Sequence, residues 1–271
     1  MIYRDGDVAA ALRSRVAESR RFGGRGGGRR GGGGVSAATA AEASINSLGQ
    51  LVFNLDARDY AAGAVTSITD RKGAFNLTGT GTIDTTINDR PSLAYNGTSN
   101  AFKSAANFAA ISGASVVTII RAMVNRNAAA TQQTIETSAL ATSNPGSLTQ
   151  PMVAGVLSNF AQGNVGSSQY SVADSMLTAC VVTTQRDFGL ATGEASLIRK
   201  NGTTLATTLV ANANNTGTFG SYQLNIASRN SASLWWNGAD AKILIFAGAM
   251  TIAEIQVAER AVGVITGITV A

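Results

Sequence analysis

From about residue 45 onward, apolar positions fall into short runs divided by Gly, Asn, Asp and Ser turns. That rhythm belongs to strands rather than to 3.6-residue helices. Candidate strands are Leu51–Leu55, Ala74–Thr78, Ser92–Tyr95, Ala101–Lys103, Ser115–Val124, Gln133–Thr137, Met152–Leu157, Ser168–Val172, Met176–Thr183, Glu194–Lys200, Thr203–Val210, Gln223–Ala227 and Ala241–Ala247. Ser115–Val124 and Ala241–Ala247 are almost continuously apolar, as expected of central strands covered on both faces. Asn201-Gly202 between two runs predicts a two-residue hairpin. Helical spacing occurs at the two ends. Val8, Leu12 and Val16 stand at i, i+4, i+8 behind a capping Asp7, predicting a short helix over residues 7–21. Thr251-Ile252-Ala253-Glu254 is a capping box that opens a late short helix over residues 251–260. Together the pattern predicts an all-β body with one short helix before it and one near its end.

Charge divides the chain where hydropathy does. The net charge of +5 sits in residues 1–34, where eight arginines face only Asp5, Asp7 and Glu18. The remaining residues balance, so any polyanion argument belongs to the leading segment alone. Within it, residues 23–34 consist of glycine and arginine only. Glycine at that density buries no apolar area and costs much entropy to order. The expected organisation is an N-terminal anchoring segment (1–22), a Gly/Arg-rich tether (23–44) and a β-sandwich (45–271). The single narrow stripe of Val8, Leu12 and Val16, flanked by Arg13, Arg20 and Arg21, cannot hold a helix in water unaided and calls for a partner surface. Arginine-glycine tracts also grip nucleic acid, but Arg25, Arg29 and Arg30 with only Phe22 beside them make a weak stacking platform. A basic tether is the favoured reading there, and nucleic acid is not the expected partner.

Several pieces, in order, resemble one known family. Leu51-Val52-Phe53-Asn54-Leu55-Asp56-Ala57-Arg58-Asp59 resembles a first strand with a Leu-Asp-Ala opening, and Thr69-Asp70-Arg71-Lys72-Gly73 the turn that follows. Arg90-Pro91-Ser92-Leu93-Ala94-Tyr95-Asn96-Gly97, Leu197-Ile198-Arg199-Lys200-Asn201-Gly202 and the closing run Asn237 to Phe246 are similar to later strands and turns. The family is the concanavalin A-like lectin/glucanase superfamily, in its laminin-G-like form, as found in bacteriophage fibre, spike or decoration proteins. The resemblance implies a two-sheet antiparallel jelly-roll sandwich. It departs at Ala241 and Lys242, where an acidic residue is usual, and around Leu177–Val182, where small apolar residues replace an aromatic or histidine.

Chemistry narrows the function further. Histidine is absent, which removes imidazole bases, Ser-His-Asp arrangements and imidazole metal sites. The i, i+2, i+4 carboxylate run by which glucanases of the superfamily cleave is also absent; Glu136 and Glu194 stand alone. No catalytic residue is assigned. Cys180 lies in an apolar run and reads as a buried thiol. No cofactor is expected; the weak calcium candidates implied by the family are Asp56 and Asp59 with Asn54, or Asp84 and Asp89 with Asn88, all of which also suit simple turn capping. Trp235-Trp236, with Tyr222 and Asn237, is the candidate glycan or interface site. If the pair lies in a strand, one indole is core and the other is free to contact a ligand or a subunit.

The function these features suggest is a non-enzymatic structural or adhesion component of a phage virion. Residues 1–34 would dock onto other virion proteins, and the sandwich would face outward, as a homo-oligomer, toward host-surface glycan. The alternative is a free lectin-like protein whose basic tail meets nucleic acid or acidic surfaces. No stretch is long enough to insert in a membrane.

Overall fold

The computed structural model describes residues 36–271, apart from Ala74, Gly155 and residues 139–144, 164–165, 190–194 and 212–215. The expected helix over residues 7–21, its anchoring residues Val8, Leu12, Arg13, Val16, Arg20 and Arg21, and the glycine tract lie outside the described residues.

The body opens with α1 (Ala37–Asn46), followed by β1 (Leu51–Asp56), β2 (Gly63–Thr69), β3 (Asn76–Ile87), β4 (Arg90–Asn96), β5 (Ala101–Asn107), β6 (Val116–Asn125), β7 (Gln132–Thr137) and β8 (Ser147–Val153). Then come β9 (Val156–Gln162), β10 (Ser167–Val172), β11 (Cys180–Asp187), β12 (Ala195–Lys200), β13 (Thr203–Thr204), β14 (Thr208–Ala211), β15 (Gln223–Ile226), β16 (Asn237–Ala247) and α2 (Ile252–Thr266). Every strand pairing among the described residues is antiparallel, and hydrogen bonding runs unbroken from β13 through β12, β11, β6, β16, β4, β3, β5, β15, β7, β8, β9 and β10 to β14. β1 extends the pairing of β16, and β2 that of β3. β3 pairs with β4 through residues 82–87 and with β5 through residues 77–80, so the ribbon turns over along it, and side chains of β6 and β11 meet β7, β8 and β9 across the core. The fold is an all-β sandwich, with two α-helices among the described residues.

Two apolar layers follow from the strand period of two. In β6, Val117, Ile119 and Met123 point between the sheets with Phe53, Ile135, Leu157, Leu224, Trp236 and Ile243. The alternate residues Ile120, Ala122 and Val124 point outward, onto a second layer made with Ala41 and Ile45 of α1 and Ile255, Ala258, Val262 and Ile265 of α2. Both faces of β6 are therefore covered, which is why its run is almost unbroken in apolar residues. α2 begins at the expected capping box, with Thr251 and Glu254 bonded reciprocally, and ends on a left-handed Gly267. Its Glu259 is buried and takes Arg199 of β12 at 2.9 Å and Thr183 of β11 at 2.7 Å, fixing the helix to two strands.

Several boundaries differ from those expected. The tether cannot extend to residue 44, because Ser36 caps α1 through the Thr39 amide at 3.1 Å and the helix then buries Ala41 and Ile45. The run Met152–Leu157 is two strands, β8 and β9, reversed at Ala154 with φ 48°. Thr203–Val210 is likewise divided: β13 pairs with β12, whereas β14 crosses to β10. Met176 takes φ 52°, so β11 starts only at Cys180 and continues to Asp187. The Asn201-Gly202 hairpin forms with φ 49° and 87°, the left-handed pair that a two-residue turn demands.

Candidate functional site

β15 and β16 are joined by residues 227–236, a loop in which Ala227, Asn230, Ser231 and Leu234 all have φ between 49° and 69°. Left-handed backbone is disfavoured for residues with a Cβ and persists where surrounding contacts over-determine it. Those contacts are present. Glu136 on β7, fully buried, accepts the Asn230 amide at 2.9 Å and the Ser138 hydroxyl. Ser228 Oγ accepts the Ser231 amide at 3.0 Å, the Ala227 amide reaches Thr134 O at 2.8 Å, and Arg229 and Ser233 close a small bridge. Lys103 of β5 donates to Asn230 Oδ1 at 2.7 Å. Burial raises the pKa of Glu136, and bonds from Ser138 and Asn230 with the charges of Arg229 and Lys103 only partly offset it.

The loop sends its two tryptophans to different places. Trp236 is fully buried between the sheets: its ring lies 5.3 Å from that of Tyr95, Arg121 stacks at 4.8 Å, and its Nε1 donates to Asn125 at 3.2 Å. Trp235 is half-buried and lines a shallow cleft of about 410 Å³ with Thr80 of β3, Ser99 of the turn between β4 and β5, Lys103 of β5 and Ser231 from the loop. The expected separation of the pair holds, although the residues precede β16 instead of lying within a strand. Arg121 also makes a two-pronged ion pair with Asp240, at 2.9 and 2.8 Å, and donates to Thr134 and Gln150 across the sandwich.

The other candidate residues are not brought to this cleft. Tyr222 is half-buried, with its hydroxyl donating to Pro145 O at 2.6 Å. Asn237 starts β16 and gives its amide to Gln132 Oε1 at 2.7 Å. Neither lines the cleft. Lys103, Ser231, Asn230 and Glu136 were missed by sequence reasoning. Their one sequence signal is a lone lysine in a run of neutral side chains, since the loop carries no glycine to announce its left-handed turns.

The weak calcium candidates hold cations of the chain itself. Asp56 binds Arg58 and Lys242, with distances of 2.5 and 2.9 Å, and Asp59 binds Arg71 at 2.6 Å. Burial opposes ionisation of Asp56, but the bonds from Arg58 and Lys242 outweigh it and hold the carboxyl far below the usual range. Glu42 of α1 completes this cluster, reaching Lys242 at 2.9 Å and Arg71 at 3.0 Å. Lys242 is thus a buried counter-ion for two carboxylates. Asp84 is held by Ser92 at 2.6 Å and Arg126 at 2.8 Å. Asn88 and Asp89, with φ 50° and 56°, form the turn between β3 and β4. Among the described residues no three acidic, His or Cys groups are placed to hold a metal.

No protein-family model and no curated protein sequence matches the chain. Solved structures do match it in shape. A structure of botulinum neurotoxin type C, whose way into cells is dependent upon interaction with two ganglioside molecules, is 13% identical with a TM-score of 0.53 over 81% of this chain and 51% of that one. The binding domain of botulinum neurotoxin DC, solved with rat synaptotagmin II, is 11% identical with a TM-score of 0.54, over 79% and 52%. The binding domain of Paraclostridial Mosquitocidal Protein 1 is also 11% identical with a TM-score of 0.54, over 78% and 51%. The chain spans about half the length of these structures, and at such identities the likeness is one of fold.

Proposed function

We propose that the sandwich is a non-enzymatic recognition module that binds glycan in the Trp235 cleft. The observation that carries this reading is the strained, heavily anchored loop that locks Trp236 into the core and leaves its neighbour at solvent beside hydroxyls and a lysine. An indole beside hydrogen-bonding groups suits the mixed apolar and polar surface of a sugar. The fold neighbours support the coarser statement, since they are binding domains of proteins that engage gangliosides or a protein receptor. On a glycan array and in titrations, Trp235→Ala should abolish binding while leaving the thermal midpoint within about 2 °C of wild type, as expected of a half-exposed side chain. Unchanged glycan binding by the variant would refute the assignment.

The setting we propose is a phage virion, as a fibre, spike or decoration protein displayed at the particle surface. The family resemblance and the confinement of the net charge to residues 1–34 support it. Deleting those residues should abolish incorporation into particles and leave a folded sandwich; particles that still take up the truncated chain would remove this part of the proposal.

A further inference from the structure

Resting on the glycan reading above, we propose that the Trp235 cleft selects an anionic saccharide, whose carboxylate or sulfate pairs with the Lys103 ammonium. Most lysines and arginines that build the body are neutralised in place: Lys200 by Asp174, Lys242 by Glu42 and Asp56, Arg121 by Asp240 and Arg199 by Glu259. The cavity beside α1 shows the same balance, its Arg58 and Arg71 being matched by Glu42 and Asp59 on its own walls. The Trp235 cleft differs. Among the described residues lining it, Lys103 is charged and none is a carboxylate. Its hydrogen bond goes to the neutral amide oxygen of Asn230, which leaves two of the three ammonium donors for a ligand.

The carboxylate that Lys103 does sense, Glu136, is no substitute for a ligand. It is fully buried behind the loop, with both oxygens occupied by Ser138 and the Asn230 amide. Asn230 thus links the two: its backbone is pinned by Glu136, and its side chain aligns the lysine. The ammonium is already bonded to Asn230, whose backbone sits in a left-handed turn, so part of the side-chain ordering cost is met before an anion pairs with it. The volume of about 410 Å³ lies within the usual range of small-ligand sites.

The test uses the full chain against an array of matched neutral, carboxylated and sulfated oligosaccharides, followed by titration of lactose, 3′-sialyllactose and 3′-sulfolactose. The wild-type chain should favour at least one acidic sugar over its neutral match by about tenfold, as expected of one charge-assisted bond, and salt should erode that preference. Lys103→Met should abolish the preference, weakening acidic sugars about tenfold more than their neutral matches, and Lys103→Arg should restore it. Trp235→Ala should abolish binding of neutral and acidic sugars alike. A preference that survives Lys103→Met, or equal binding of acidic and neutral sugars by wild type, overturns the charge inference and leaves the glycan reading standing. Absence of binding to every sugar overturns both. A thermal melt of each variant confirms that it is folded.

Discussion

Cys180 shows how burial decides the chemistry of a single group. It lies in the inter-sheet layer with its sulfur near Met123 O and Met176 Sδ, and burial pushes the thiol up to about 12. Thiolate is the reactive form, so a disulfide reagent at pH 8 should leave the native thiol unmodified and react fully once denaturant is added. Rapid native labelling would contradict the burial. Arg121 and Asp240 are the opposite case, charge kept inside by pairing. Asp240→Asn leaves a guanidinium between the sheets without its anion and should cost about 3–5 kcal/mol in urea titrations. Pairing Asp240→Leu with Arg121→Met should recover most of that loss, because apolar side chains replace a desolvated pair at little net cost.

At the scale of elements, α1 and α2 cover the same sheet by different means. α2 seats a broad apolar face and one buried glutamate, whereas α1 relies on Ala41, Ile45 and the charges around Glu42. Burial works against ionisation of Glu42, but the charge and hydrogen bond of Lys242 lower its pKa. A carboxylate with a depressed native pKa stabilises above its unfolded value and loses that contribution as acid protonates it. Stability should therefore fall below about pH 4, and Glu42→Gln should flatten that part of the pH profile while lowering the midpoint at pH 7 by about 2–4 °C. Some elements were legible in sequence and others were not, for identifiable reasons. β6, β16 and α2 announce themselves because both faces of each strand are apolar and the helix has a reciprocal cap. β2 was missed because a bulge between Val65 and Ser67 breaks its alternation. β8 and β9 read as one strand because their turn at Ala154 has no Asn-Gly signature. The cleft was half legible: the two tryptophans were visible, but Lys103 and Glu136 reach the loop from 127 and 94 residues away, a separation that local pattern cannot bridge.

For the molecule as a whole, the sheet that turns over along β3 sets the loop of residues 227–236 against β5 and β7 and ahead of β16, while the described chain enters the body at Ser36. The glycine at position 79 belongs to the roll: a Cβ there would lie 1.8 Å from Ala101 O, so Gly79→Val should prevent native pairing of β3 with β5 and yield insoluble chain, whereas substitution at Gly49, which meets nothing, should be silent. The placement of α1 has a mechanical consequence. A pull applied through the leading segment arrives at Ser36 and loads the short helix first, then β1, which is laddered to the largely buried β16. The Glu42–Lys242 contact is thus a fuse in series with the sandwich. In single-molecule stretching, a low-force step releasing α1 should precede rupture of the body, and Glu42→Gln should lower the first step alone; release of α1 then takes up slack under shear while the sandwich stays intact.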